Sequence, residues 1–156
     1  MRQAFQRGFT LIELMIVVVV VALLAALALP SFLDSVRKGR RSTAFEAVSQ
    51  IQQAQERWRA NNASFAGGIA SSGGRFTGLT ASGATSYTTA NGYYEISVSG
   101  ASATGYTILA TAKGSQANDT ACRLMQVQMT GGNLVYAAGS STLSTAAADV
   151  SRCWRS

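Results

Sequence analysis

The sequence predicts an α+β protein. A long N-terminal helix packs its second half on an antiparallel sheet of three or four strands, and a disulfide closes the C-terminal region. Three observations predict this. Residues 14–29 carry no polar side chain. Apolar residues then recur at helical spacing as far as Trp58. The rest of the chain holds strictly alternating stretches divided by glycine-rich turns, and only two cysteines, enough for one crosslink.

Composition bounds what such a chain can do. Its 156 residues suit one ordinary domain with an appendage. Apolar residues make up 47% and charged residues 13%, the latter about half the usual share, which excludes a disordered, solvating chain. Histidine is absent, so no imidazole base, His–Cys pair or His-ligated metal can be built. No phosphate-binding glycine loop, nucleophile–base pair or paired catalytic carboxylates is visible. Glu95, Asp119 and Asp149 are too few and too scattered for a calcium site. Neither catalysis nor a metal nor a cofactor is expected.

Residues 9–29 are interrupted only by Thr10 and Glu13. A helix of that length rises about 31 Å, close to the ~30 Å hydrocarbon core of a bilayer, whereas a buried strand needs only about four to eight residues. A cleaved secretory signal would use Arg2 and Arg7 and the A-x-A pattern Ala26-Leu27-Ala28. A plain anchor would use the span alone. Neither reading accounts for Glu13, since a carboxylate inside a span costs about 2.5–3.5 kcal/mol and such acids normally have a partner. Gly8-Phe9-Thr10-Leu11-Ile12-Glu13-Leu14 ahead of the apolar run instead resembles the type IV prepilins.

That resemblance implies a processing route. A prepilin peptidase cuts between Gly8 and Phe9, residues 1–8 leave as a leader, and Phe9 is N-methylated. The helix 9–29 then serves first as a transmembrane segment and later as filament core. The new α-amine of Phe9 lies one helical turn from Glu13. It can neutralise Glu13 of its own chain or, as the resemblance implies, of a neighbouring subunit during assembly. Two cations precede the span (Arg2, Arg7) and four follow it (Arg37, Lys38, Arg40, Arg41), a count that by itself would keep the C-terminal part in the cytoplasm. The processing motif is useful only if the leader faces the cytoplasm, and the cysteine pair favours an oxidising compartment for the C-terminal part, in conflict with that count. A single pass of the inner membrane with a cytoplasmic N-terminus is therefore expected before assembly, and an extracellular pilus after it.

Residues 30–60 continue the helix. Pro30 removes one hydrogen bond and predicts a kink. Beyond the polar stretch 37–43, Ala44, Val48, Ile51, Ala54 and Trp58 mark one apolar stripe. Strong helix formers, among them Gln52, Gln53 and Gln55, fill the other positions up to Asn61-Asn62. Helix over 9–60 would be about 78 Å long, against a radius of gyration near 15 Å for a compact domain of this size. Its halves need different surroundings: lipid or like helices for the first, a globular domain for the second.

Residues 61–92 hold seven glycines and read as a connecting loop. Strands are predicted at 93–99 (Tyr94, Ile96, Val98 inward), 105–112 (Tyr106, Ile108, Ala110 inward) and 122–130 (Met125, Val127, Met129 inward). Gly131-Gly132-Asn133 then turns into Leu134-Val135-Tyr136. Cys122 and Cys153 would close a loop of about thirty-two residues, worth about 3.7 kcal/mol on the chain-entropy model. The pair looks like the clasped C-terminal region of pilins. Together with Gly92-Tyr93-Tyr94, the strand Tyr106-Thr107-Ile108-Leu109-Ala110 and Asp119 ahead of Cys122, the final Cys153-Trp154 looks like the E-type minor pilins of type IV pili.

The resemblance implies other pilin subunits, the peptidase and the pilus assembly machinery as partners, with roles in pilus biogenesis, twitching motility, adhesion or DNA uptake. A pseudopilin of type II secretion shares the N-terminal signal, but the disulfide and the missing acidic cluster speak against it. DNA is the other partner considered. The net charge is +6, or +4 once Arg2 and Arg7 depart. Arg152 and Arg155 flank Trp154, an arrangement able to contact phosphate and stack on a base.

Overall fold

A computed structural model of the chain describes residues 9–154. The helix α1 (Leu11–Arg59) opens on Thr10, whose hydroxyl accepts the backbone N–H of Glu13 at 3.3 Å, the bond expected of a threonine N-cap. The helix continues through position 30. At its far end Asn62 donates to the carbonyl of Trp58, and Arg59 donates to the carbonyl of Asn62. The chain divides into two compact units between Val36 and Arg37. In the first, the described apolar side chains from Phe9 to Leu33 are exposed, and Val36 is half-buried. In the second, Ala44, Ala47, Val48, Ile51 and Ala54 form a buried stripe along α1.

That stripe covers one face of a five-stranded antiparallel sheet, order β3-β4-β5-β6-β7. The strands are β3 (Ser86–Thr88), β4 (Tyr94–Ser99), β5 (Gly105–Ala112), β6 (Leu124–Thr130) and β7 (Asn133–Gly139). The register stacks inward residues in rows: Ile96, Ala110, Met125 and Ala138 lie opposite one another across four strands, all buried. Val98, Ile108, Val127 and Tyr136 form the next row. The alternation read from the sequence therefore predicts the buried face of β4 and β5 residue by residue, because a half-buried strand has period two. Gly131 and Gly132 join β6 to β7 with φ of 56° and 86°, the positive angles that a two-residue hairpin of this hand demands.

Two expectations change. The sheet was expected to have three or four strands, but it has five, and a separate two-stranded sheet precedes it in the sequence. The additional strands come from residues 61–92, expected to be a loop. They fold into an antiparallel hairpin, β1 (Gly68–Ser72) and β2 (Arg75–Thr80), and then into the edge strand β3. Glycines fill the hairpin turn at Gly73 and Gly74, and Ile69 and Tyr87 reach the common core. Three short strands with one or two anchoring residues each carry too little alternation to stand out from their glycines. The second change is a C-terminal helix, α2 (Ala147–Trp154). The Cys122–Cys153 disulfide is present and ties α2 to the segment entering β6.

Candidate functional site

The apolar half of α1 offers almost nothing for chemistry except Glu13. Phe9 and Glu13 are exposed, and Glu13 lies in the first helical turn, where a carboxylate complements the unpaired N–H groups of the helix start. Over this helix an eighteen-residue window reaches a mean hydropathy of 3.0 with none of it buried in the chain, long and apolar enough to cross a membrane. Pro30 lies inside α1. Gly8, the residue before the expected cleavage, lies outside the described residues.

At the base of the globular unit, α1 contributes a cation that composition gave no reason to bury. The Arg41 guanidinium grips Asp119 bidentately, Nε to Oδ2 at 2.7 Å and Nη2 to Oδ1 at 2.8 Å, with side-chain exposures of 11% and 4%. Its remaining nitrogen, Nη1, donates to the carbonyl of Arg152 in α2 at 2.9 Å. Gln116, in the 3-10 turn Gly114–Asn118, is fully buried; its amide lies 3.1 Å from Asp119 Oδ2, the Tyr94 hydroxyl and the carbonyl of Arg37. Burial pushes the Tyr94 phenol up to about 12, with the Gln116 hydrogen bond opposing that shift. One network thus joins α1, the turn before Cys122, β4 and α2. Of its members, the sequence marks Asp119 by its place ahead of Cys122 and Tyr94 as an inward strand residue. By sequence Arg41 is one more cation beside the apolar run, because its partner is 78 residues away.

The C-terminal cluster is brought together only in part. Trp154 packs edge-on against Tyr136 (centroids 5.1 Å apart) and Phe45 (6.4 Å), and its indole N–H donates to the carbonyl of Ala137. The indole therefore seals α2 onto β7 and α1. Arg152 is exposed, its Nη1 3.8 Å from Asp149. Arg155 lies outside the described residues. Elsewhere on the unit, Lys113 pairs with Glu95 at 2.8 Å, and hydrogen bonding by that ammonium holds the Glu95 carboxyl below its usual range. Arg40 lies 4.1 Å above the ring of Tyr93, a cation–π contact. Lys38, Arg57 and Arg75 are exposed and pair with no carboxylate among the described residues. From Arg37 onward the sequence has eleven cations against five carboxylates, a net +6 on the globular unit, and no group of three or more metal-ligating side chains occurs among the described residues.

Comparison with known proteins agrees with this layout. Residues 30–126 match the family model described as "Type IV minor pilin ComP, DNA uptake sequence receptor", and residues 4–29 match the prokaryotic N-terminal methylation motif. The fimbrial protein EcpC of Eikenella corrodens is 44% identical over 77 residues, covering 45% of this chain and 49% of that protein. A fimbrial protein of Moraxella nonliquefaciens is 41% identical over 63 residues, covering 40% and 41%. The type IV major pilin protein PilE1 of Neisseria gonorrhoeae is 41% identical over 73 residues, covering 42% and 43%. The chain thus spans less than half the length of these curated relatives. No solved structure matches it. With an exposed apolar helix leading into a clasped sheet domain, and a family model matched over more than half its length, the chain belongs to the family of type IV minor pilins described as ComP, DNA uptake sequence receptor.

Proposed function

We propose that this protein is a minor subunit of a type IV pilus that captures DNA outside the cell. In this reading it enters the inner membrane through α1 with its N-terminus in the cytoplasm, and prepilin peptidase cuts between Gly8 and Phe9. The methylated chain then passes by way of the pilus assembly machinery into a filament whose core is built of like helices. The observation that carries the reading is the apolar first half of α1, exposed from Phe9 to Leu33, with one carboxylate, Glu13, near its start. Such a surface needs lipid or other apolar helices, and the charge is tolerated there only beside a cation such as the α-amine of a Phe9. The Cys122–Cys153 bond supports an oxidising location for the globular unit, against the count of cations flanking the span.

Intact mass of the membrane-fraction protein should give a chain beginning at Phe9 and carrying one methyl group. Glu13→Ala should insert into the membrane normally yet be missing from sheared pili. A mature chain beginning at Leu29, or normal incorporation of Glu13→Ala, would overturn the assembly mechanism.

The DNA part rests on the family match and on the +6 of the globular unit. Arg152 and Arg155 supply phosphate contacts, with Trp154 between them holding α2 in place. Fluorescence anisotropy of the full chain in detergent with a duplex oligonucleotide should show affinity falling as salt rises, by about 0.9 in log–log slope per phosphate contacted. Arg152→Ala should make that slope shallower by about one contact. An affinity indifferent to salt would exclude DNA as the ligand.

A further inference from the structure

We infer that the groove between α1 and the β1–β2 hairpin is a binding site for a neutral saccharide of one or two rings. Its volume is about 560 Å³, within the range of small-ligand sites. One wall is α1, with Glu46 and Gln50; the other is the hairpin, with Arg75 and Phe76; Tyr87 and Asn91 close the end.

The walls are fixed. Gly74, at φ 71°, lies against the β3–β4 turn so closely that a Cβ there would come within 2.6 Å of the Ala90 Cα and backbone nitrogen. Backbone therefore rests on backbone, and the hairpin tip cannot close over the groove or swing away without losing that contact. Across the end, Asn91 Nδ2 donates to Thr43 Oγ1 at 3.1 Å, while its Oδ1 accepts from Thr89 Oγ1 at 2.8 Å. On the helix wall, Gln50 Nε2 donates to Glu46 Oε1 at 3.2 Å. The second carboxylate oxygen and the Gln50 carbonyl are left as adjacent acceptors.

This chemistry suits hydroxyls. A carboxylate beside a carboxamide, one helical turn apart, offers the paired acceptors and donor that neighbouring sugar hydroxyls use. Phe76 supplies an apolar face for ring C–H groups. Burial, helped by the Glu46 carboxylate, raises the Tyr87 phenol, so at neutral pH it remains a donor. Glu46 and Arg75 balance in charge, and a carboxylate in the groove opposes a polyphosphate chain. A saccharide satisfies the polar groups and the aromatic wall together.

The test uses the full chain in a zwitterionic detergent without a sugar headgroup. Saturation-transfer NMR with galactose, glucose, N-acetylglucosamine, lactose and chitobiose should show saturation of ring protons for at least one probe. At these exposed positions Glu46→Gln should weaken that binding by about tenfold, the effect of one hydrogen bond to a charged group, and Gln50→Ala by about fivefold, the effect of a neutral one. Phe76→Ala should abolish the saturation, while Arg152→Ala should leave it unchanged. No saturation from any probe, or binding unaltered in the Glu46 and Gln50 variants, would overturn the proposal. So would duplex DNA that shields Glu46 and Gln50 when no saccharide does.

Discussion

Arg41 and Asp119 show what a single charge costs once water is removed from it. Each stands almost wholly inside the globular unit, and each has the other as its charge partner. Asp119→Ala would leave the guanidinium buried without a counter-charge, so urea denaturation should report a loss of about 3–5 kcal/mol. Replacing both at once, by Arg41→Met with Asp119→Leu, should recover most of that loss, because desolvating the pair offsets much of its attraction. The buried tyrosines make a separate prediction. Burial pushes Tyr94 and Tyr106 up to about 12, against an ordinary value of 10. Between those values the unfolded chain has lost protons that the folded chain retains, so stability falls as pH rises. The loss begins near pH 10, levels off above 12 and should reach about 2–5 kcal/mol for the two phenols. A melting temperature unchanged between pH 9 and 11.5 would show that the phenols ionise without opening the core.

The elements differ in how they are held. The β4, β5 and β6 strands bury a continuous apolar face under α1, whereas α2 is an eight-residue helix fixed by the disulfide, the Trp154 contacts and the Arg41 hydrogen bond to its carbonyl. A helix so short has no stability of its own. Cys153→Ser should therefore cost about 2–5 kcal/mol, the usual effect of losing such a bond in a small exported domain. Hydrogen exchange should speed first across α2 and the end of β7, while the amides of β4 and β5 remain protected. Uniform acceleration across the sheet would mean that the clasp supports the whole fold rather than its last element. Gln55 secures the opposite end of the unit: fully buried, it donates to the carbonyl of Ala66 at 2.8 Å and accepts the Ala66 N–H at 2.9 Å, tying the end of α1 to the approach to β1.

For the whole molecule the question is on which side of the membrane the globular unit lies. The flanking cations point one way, the disulfide the other. Full-length protein taken directly from cells into alkylating reagent should show no reactive thiol before reduction and two after it. Two modified cysteines without reduction would return the unit to the cytoplasm. The apolar run, the N-terminal motif and the inward faces of β4 and β5 were all legible in the sequence, because each is a local pattern with its own period. The hairpin over 61–92 left one short-range sign, the Gly73-Gly74 turn; α2 left another, the helical spacing of Val150, Cys153 and Trp154. Arg41, Gln55 and Gln116 left none. A polar side chain is buried only where distant segments supply its hydrogen-bond partners, and those partners, 78 residues apart for Arg41 and Asp119, exist only once the chain has closed. By itself, then, the sequence determined the apolar run, the N-terminal methylation motif ahead of it and which strand faces turn inward. The tertiary structure alone decided which charges lie buried, that a glycine-rich stretch becomes three strands, and that those strands wall a groove, since each depends on contacts that no local period records.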